Sequence, residues 1–139
     1  MGNLVFLDTS ALMEKFLEQG TYHARAINGM RRLLREGRQF VTTDYIFDEF
    51  VTRMRGVAGH ENAVKAGEHV LSSEVIELVD VDRALRGEAW RLFKKYKDQK
   101  FSFTDCTSFA LMRKFAIREA FTFDADFERV GFLALPGKG

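Results

Sequence analysis

The sequence is poor in several features that stabilise or localise small proteins. It contains one cysteine, Cys106, and one proline, and no apolar run approaches the roughly 20 residues of a membrane span. A single cysteine excludes an internal disulfide framework. The amino-terminal residues also lack the basic leader and apolar core of a signal peptide. We therefore expect a soluble, cytoplasmic protein with no membrane partner.

Histidine and excess charge are equally scarce. The three histidines, His23, His60 and His69, lie outside any motif, so we expect surface positions and no imidazole acid–base pair. With 21 basic and 20 acidic residues, the net charge of +1 excludes a bulk attraction to nucleic acid. Basic residues do cluster locally, where the alternatives are a phosphate-binding patch and an ordinary solvated helix face. The clusters are Arg31, Arg32, Arg35 and Arg38, and Lys94, Lys95, Lys97 and Lys100.

The chain nevertheless has enough apolar material for a sizeable core. Hydrophobic residues make up 46% of its 139 residues and include 14 phenylalanines. Strand-like and helix-like segments alternate, which is typical of a parallel sheet. We predict one domain over residues 1–139, an α/β fold in which helices cover both faces of a parallel sheet of four to five strands. The predicted strands are 4–7, 39–42, 75–79, 120–123 and 132–135, and the predicted helices are 11–17, 22–36, 45–57, 60–72, 82–98 and 102–118.

The first strand is the element around which the rest is organised. Residues 4–7 are consecutively apolar, which is typical of a strand buried on both faces in the middle of a parallel sheet. Asp8 follows directly and should stand at the carboxyl edge, where open α/β sheets bind their ligands. Thr9 and Ser10 are candidate N-caps of the helix that follows, and Asp44 is a candidate cap of helix 45–57.

Further acids are expected at the same edge. Asp124 and Asp126 follow the fourth predicted strand, and Asp105 begins the helix that leads to that strand. Asp48 and Glu49 lie in the first turns of the helix after the second strand. Two carboxylates ~4 Å apart repel by about 4 kcal/mol at an effective dielectric of 20. Because hard oxygen ligands select Mg²⁺ or Mn²⁺, we predict a divalent-metal site.

Each acid also has an ordinary structural interpretation. Ser102 and Asp105 fit a capping box, and Asp124 with Asp126 could shape a turn. Asp48 and Glu49 flank opposite edges of the apolar stripe of their helix, so the pattern does not choose between them. The metal site therefore depends on the acids coming together rather than on any one of them.

Four segments, taken in order, resemble the PIN-domain nucleases. They are residues 7–12 (LDTSAL), 43–49 (TDYIFDE), 101–108 (FSFTDCTS) and 121–127 (FTFDADF). The likeness extends through essentially the whole chain, and the compact length and spacing look most like the toxins of VapBC-type toxin–antitoxin modules. That resemblance implies a Mg²⁺- or Mn²⁺-dependent ribonuclease, a homodimer, and a small VapB-like antitoxin as partner.

The resemblance also implies which residues form the site. The catalytic, metal-binding acids would be Asp8, Glu49, Asp105 and Asp124, with Asp126 as a further metal ligand. Hydroxyls of Thr9, Ser10 and Thr122 would orient carboxylates or water. Bound metal would activate water for in-line attack on an RNA phosphodiester and leave 5′-phosphate and 3′-hydroxyl ends. The alternative from another class is a non-catalytic PIN-like module that binds RNA or protein.

Overall fold

A parallel sheet of five strands forms the centre of the computed structural model, which describes residues 2–137. The strand order is β3-β2-β1-β4-β5, so the first strand is central, as its apolar run predicts. Within it, Val5, Phe6 and Leu7 are fully buried. The strands are β1 (Leu4–Leu7), β2 (Gln39–Thr43), β3 (Ile76–Val79), β4 (Glu119–Phe121) and β5 (Leu133–Leu135).

Helices flank this sheet and complete the predicted three-layer α/β/α architecture. They connect successive parallel strands, which cannot be joined by tight turns. At Gly29 a Cβ atom would lie 2.9 Å from the Phe121 ring, so the glycine lets its helix pack closely against β4. The helices are α1 (Thr9–Phe16), α2 (His23–Arg35), α3 (Asp44–Ala58), α4 (His60–Leu71), α5 (Arg83–Lys95), α6 (Phe103–Lys114) and α7 (Asp126–Arg129).

Two of the predicted helix caps are wrong. Thr9 and Ser10 lie inside α1, and the residue at the N-cap position is Asp8, whose side chain makes no capping hydrogen bond. At α3 the cap is Thr43, whose hydroxyl accepts a hydrogen bond from the Ile46 amide at 3.0 Å. Asp44 instead accepts from the Val81 amide at 2.8 Å and so ties α3 to the loop after β3. At both helix starts, the side chains that local rules assign to capping form other hydrogen bonds instead.

The segments around β4 differ most from the prediction. Helix α6 ends at Lys114 rather than near residue 118, because Ala116 adopts φ +54° and turns the chain so that Ile117 is buried. Strand β4 ends at Phe121, two residues early. The short helix α7 was not predicted, because only the buried Phe127 distinguishes it from a polar turn.

Parallel strands bring their carboxyl ends to one edge of the sheet, and the functional acids are to be sought there. Leu7 at the end of β1 pairs with Phe121 at the end of β4. The residues that immediately follow these two strands, Asp8 and Thr122, are therefore neighbours. None of the helices in the described part of the chain has the length and hydropathy needed to span a membrane.

Candidate active site

Asp8 is buried at the carboxyl edge and held by two hydroxyl groups. Its side chain is enclosed almost completely, with 5% of the residue exposed. Thr122 Oγ1 donates a hydrogen bond to Asp8 Oδ2 at 2.8 Å, and Ser10 Oγ donates to the same oxygen at 3.0 Å. The pairing of β1 with β4 places Thr122 beside Asp8, and the first turn of α1 places Ser10 there.

Burial makes the Asp8 carboxylate costly in its charged form. Loss of solvent raises the pKa of Asp8 to about 6, against the lowering effect of hydrogen bonds from Thr122, Thr9 and Ser10, and the charge of Asp124 raises it further. From the ordinary value of 3.8, this shift corresponds to about 3 kcal/mol at neutral pH. No ion pair with Asp8 occurs among residues 2–137. The site therefore contains a buried anion that lacks a neighbouring protein cation.

The same hydroxyls set the course of the chain after β4. Ser10 Oγ lies 3.1 Å from Thr122 Oγ1 and accepts a hydrogen bond from the Phe123 amide at 2.9 Å. Thr122 Oγ1 accepts from the Asp124 amide at 3.0 Å. The backbone that carries Asp124 is thus bonded to the residues that hold Asp8.

Asp124 and Asp126 lie next to each other but differ in their surroundings. Asp124 is exposed, and its Oδ1 accepts a hydrogen bond from the Asp126 amide at 3.0 Å. Asp126 is half-buried and pairs with Arg129 at 3.3 Å. Burial, followed by the charge of Asp124, raises the pKa of Asp126. Asp124 therefore keeps its carboxylate free of a basic partner among the described residues, whereas Asp126 shares its charge with an arginine.

The two adjacent acids of α3 are not equivalent in the structure. Glu49 is half-buried and turned toward the first residue of α1, where Thr9 Oγ1 donates a hydrogen bond to Glu49 Oε1 at 2.5 Å. Its other oxygen lies 3.7 Å from the Arg53 guanidinium. Asp48 is exposed. The fold thus brings Glu49, and not Asp48, into contact with the residue that follows Asp8.

Asp105 combines a local role with a place in the acidic cluster. It completes the capping box of α6, in which the Asp105 amide donates to Ser102 Oγ at 2.9 Å and the Ser102 amide donates to Asp105 Oδ2 at 3.0 Å. Burial raises the pKa of Asp105 to about 6, and the charges of Asp8, Asp126 and Asp124 add to this rise. Asp105 therefore combines its capping role in α6 with exposure to the negative charges of Asp8, Asp124 and Asp126.

The donor chemistry fits a hard divalent cation, although the side chains do not form a finished cage. Within residues 2–137, no three side chains among His, Cys, Asp and Glu are arranged as a preformed metal site. The acids that meet at the edge supply only carboxylate oxygens, the ligands that Mg²⁺ and Mn²⁺ prefer. Two of them, Asp8 and Asp105, have pKa values raised by burial and by neighbouring negative charge, which a bound cation would relieve.

Sequence reasoning missed a group of residues beside Asp124. Tyr22 and Phe123 stack with ring centroids 4.9 Å apart and an interplanar angle of 4°, and the Arg25 guanidinium lies over both rings. These residues line a cavity of about 330 Å³ together with Asp124 and Thr122. Tyr22 and Arg25 belong to no motif, so no signal in the sequence could have placed them there.

The arginine cluster lies away from this edge. Arg38 forms an ion pair with Glu119 and donates to the Asn3 carbonyl at 3.3 Å. Glu119 begins β4, and Asn3 immediately precedes β1, so these contacts lie at the amino ends of the strands. The acids lie at the carboxyl ends. Arg38 therefore has a structural role at the edge of the sheet opposite to the acids.

The fold and the acidic edge together define a PIN domain. The PIN domain family model matches residues 5–133, so the chain belongs to the PIN-domain family. This confirms the resemblance carried by the four sequence segments.

Comparison with individual proteins shows which members of the PIN-domain family this chain resembles. The chain is 36% identical over 93 residues to the 23S rRNA-specific endonuclease VapC20 of two Mycobacterium tuberculosis strains, CDC 1551 / Oshkosh and ATCC 25618 / H37Rv, covering 67% of this chain and 70% of the relative. The crystal structure of M. tuberculosis VapC20, described as a sarcin-ricin loop cleaving toxin, superposes with a TM-score of 0.83 at 30% identity, covering 93% of this chain and 96% of the other. The Rickettsia felis VapBC2 structure, bound to a promoter DNA fragment, shares the fold at 13% identity and a TM-score of 0.71, with 94% and 96% coverage.

Proposed function

We propose that this PIN domain is a metal-dependent endoribonuclease of the VapC toxin type. One structural observation carries the proposal: Asp8, buried at the carboxyl edge of the sheet and held by two hydroxyls, has no ion-pair partner among the described residues and lies near further acids. The relative VapC20 is named as an endonuclease specific for 23S rRNA, which supports RNA as the substrate here. The non-catalytic alternative has no comparable use for these costly charges.

Asp8, Glu49, Asp105 and Asp124 are the residues we assign to metal binding and catalysis. Bound Mg²⁺ or Mn²⁺ would supply a water of lowered pKa and would stabilise negative charge on the phosphodiester oxygens. Asp126 is the more peripheral ligand, because Arg129 competes for its carboxylate.

The surrounding hydroxyls keep the acids in position. Thr122 and Ser10 hold one oxygen of Asp8, which leaves its other oxygen free of side-chain hydrogen bonds in the described structure. Thr9 orients Glu49. Because these contacts are buried or half-buried, they are expected to direct the carboxylates toward a shared ligand rather than into solvent.

The partners we propose follow from the toxin type. They are an RNA substrate, a small VapB-like antitoxin that inhibits the nuclease, and a second copy of the chain in a homodimer. The cytoplasm, where RNA is available, is the proposed location. Binding of RNA, of the antitoxin and of a second copy can each be measured on the purified protein.

Cleavage of RNA by the purified protein tests the function. A single-stranded RNA and an RNA carrying the sarcin-ricin loop are incubated with Mg²⁺, Mn²⁺ or EDTA, and the ends of the products are mapped. We expect metal-dependent cleavage that leaves 5′-phosphate and 3′-hydroxyl ends and is lost in Asp8→Asn. Cleavage that persists in EDTA or in Asp8→Asn would reject the mechanism, and binding without cleavage under every metal condition would favour the non-catalytic alternative.

A further inference from the structure

Helix α5 presents two large aromatic side chains to solvent. Trp90 is 54% exposed and Phe93 is 41% exposed, and their rings stack with centroids 5.7 Å apart at an interplanar angle of 16°. Exposed apolar side chains that lie together, unlike scattered ones, mark binding surfaces. Leu92 between them in sequence is fully buried, so α5 is already anchored to the core without these two rings.

This aromatic pair adjoins the acidic edge through Phe103. The Phe103 ring centroid lies 6.4 Å from Trp90 and 6.2 Å from Phe93, and Phe103 is the first residue of α6, two before Asp105. We refer to Trp90, Phe93 and Phe103 as the aromatic platform. Its position places flat apolar surface at the amino-terminal end of α6, the helix that also carries Asp105 in its first turn.

A second contact links the platform to α3. The Phe103 ring lies 6.0 Å from the ring of Tyr45, which is one helical turn before Glu49. Residues i and i+4 share a helix face, so Tyr45 and Glu49 face the same region. The platform therefore lies next to the two helices that carry Glu49 and Asp105.

On the α5 side of the platform, away from the acids of α3 and α6, the charge is positive. Lys94 and Lys97 follow Trp90 by four and seven residues and, with Trp90 and Phe93, line a cavity of about 360 Å³. Among the described residues that line this cavity there is no carboxylate. Aromatic rings for base stacking next to ammonium groups for phosphates are the two components of single-strand nucleic-acid binding surfaces.

A second copy of the chain fits this surface less well than RNA does. A two-fold interface is self-complementary, so one centred on the platform would bring the lysines of both copies close together. Like charges would then repel at the centre of the contact. A polyanion with unpaired bases meets both the rings and the lysines favourably.

We propose that Trp90 and Phe93 stack an unpaired base of the RNA substrate next to the scissile phosphodiester, while Lys94 and Lys97 contact its backbone. The proposal rests on the ribonuclease function proposed above and names the residues that position the strand for it. Stacking accepts any base, so the platform is a positioning surface rather than a sequence reader.

Intrinsic fluorescence offers a direct test, because Trp90 is the single tryptophan of the chain. The Asp8→Asn variant, which we expect not to cleave, is titrated with oligouridylate and oligoadenylate of twelve nucleotides and with an abasic ribose-phosphate oligomer of equal length. We expect both base-bearing oligomers to quench Trp90 saturably and the abasic one to leave it unchanged. Equal quenching by the abasic oligomer, or none by any, would overturn the proposal.

Substitutions then measure the contribution of the rings to binding. When binding is measured with labelled RNA, Trp90→Ala should weaken binding roughly tenfold, whereas Trp90→Phe should retain most of the affinity. Lys94→Glu with Lys97→Glu should weaken binding and reduce its salt dependence. Phe115→Ala is the matched control, since Phe115 is 40% exposed at the far end of α6. A loss in Phe115→Ala equal to that in Trp90→Ala would contradict a specific platform.

The mass of the protein in solution tests the rival explanation, in which a second copy of the chain covers the aromatic platform. Light scattering of wild-type protein and Trp90→Ala should give the same oligomeric state. If Trp90→Ala dissociates a dimer, the platform is an interface between copies and the proposal is wrong. The ribonuclease function fails separately: cleavage by wild-type protein without quenching rejects only the platform, and quenching without cleavage rejects only the nuclease.

Discussion

The strand side and the helix side of the acidic edge hold their carboxylates in different ways. On the strand side, Asp8 is buried, and two hydroxyls from paired or adjacent segments hold one of its oxygens. On the helix side, Glu49 and Asp105 are half-buried. Glu49 accepts one hydroxyl hydrogen bond and lies 3.7 Å from the Arg53 guanidinium, and Asp105 caps its own helix. Sheet register sets the first arrangement, whereas the second depends on how α3 and α6 pack.

This difference has an energetic consequence. Asp8 on the strand side is the more completely enclosed carboxylate, and hydrogen bonds replace part of the water that it loses. Burial raises the pKa of Asp105 on the helix side to about 6 as well, but Asp105 makes fewer side-chain hydrogen bonds. The half-buried acids of the helix side keep contact with solvent and can adjust by rotation of their side chains. We infer that the Asp8 side chain keeps its position when a ligand binds, whereas the side chains of Glu49 and Asp105 adjust to the ligand.

The largest expected effect comes from removing the charge on the strand side. Asp8→Asn should lower metal-dependent RNA cleavage by 100-fold or more, because the proposed central ligand is lost (roughly 3 kcal/mol). In EDTA at pH 7 the same variant should unfold at a higher temperature than wild type, with a gain of up to about 3 kcal/mol from the cost of burying the anion. Thermal unfolding followed by circular dichroism measures this gain.

Asp48→Asn is the matched control for that measurement, since it removes a carboxylate that is exposed. Its unfolding temperature should stay close to that of wild type. An Asp8→Asn protein that is less stable than wild type without metal would show that the hydrogen bonds of Asp8 outweigh the desolvation of its charge.

On the helix side, substitutions of the two neighbouring acids of α3 should have clearly different effects on RNA cleavage. Glu49→Gln should reduce cleavage by roughly tenfold to 100-fold, as expected when a metal-site ligand network is disturbed. Asp48→Asn should change it by less than about threefold, because surface substitutions rarely matter. Initial cleavage rates at saturating Mn²⁺ measure both. The reverse result would transfer the ligand role to Asp48.

The stability of the metal-free protein should depend on pH in the direction opposite to ordinary acid denaturation. The pKa values of Asp8 and Asp105 in the folded protein are raised from 3.8 to about 6, so the folded state binds protons more tightly than the unfolded state between those values. Stability should therefore increase as the pH falls from 7 toward 5, and this gain should be smaller in Asp8→Asn. Urea unfolding in EDTA across this range measures it. A wild-type stability that falls steadily from pH 7 to pH 5 would contradict these raised pKa values.

The smallest expected effects come from removing the hydroxyl groups. These substitutions test most directly whether the strand side and the helix side hold their carboxylates differently. Thr122→Val removes a buried donor to Asp8 and should weaken Mn²⁺ binding by roughly tenfold. Thr9→Val removes the donor to the adjustable Glu49 and should weaken it by only about two- to threefold. Calorimetric titration with Mn²⁺ measures both, and Thr52→Val, at an exposed position of α3, is the control. Equal losses at Thr122 and Thr9 would remove the distinction between the two sides.

The arrangement of strands could be predicted well because its signals are local. Residues 4–7 are an uninterrupted apolar run, and the structure confirms a central parallel strand there. Helix faces were harder, because a helical stripe does not say which part of it meets the core. In α4, the apolar residues Val64 and Leu71 are 44% and 61% exposed, and in α5 Phe93 is 41% exposed.

The candidate site shows the same division between residues that local sequence signals indicate and a choice that depends on packing. The candidates Asp8, Asp105 and Asp124 were found from their positions after strands or at a helix start, and their roles remain proposals for the experiments above. The choice between Asp48 and Glu49 could not be made from the helical pattern, which treats both as flanking residues. Contact with Thr9 now favours Glu49, because that contact depends on the packing of α3 against α1.

The sequence by itself determined the alternation of strands and helices and the placement of acids directly after strands, because both depend on residues close together in the chain. The tertiary structure decided which side chains meet across long sequence separations. Thr122 reaches Asp8 only because β1 pairs with β4, and Trp90 reaches Phe103 only because α5 packs on α6. The physical reason is that hydrophobic spacing defines what each element buries, whereas register and helix packing define which neighbour it is buried against.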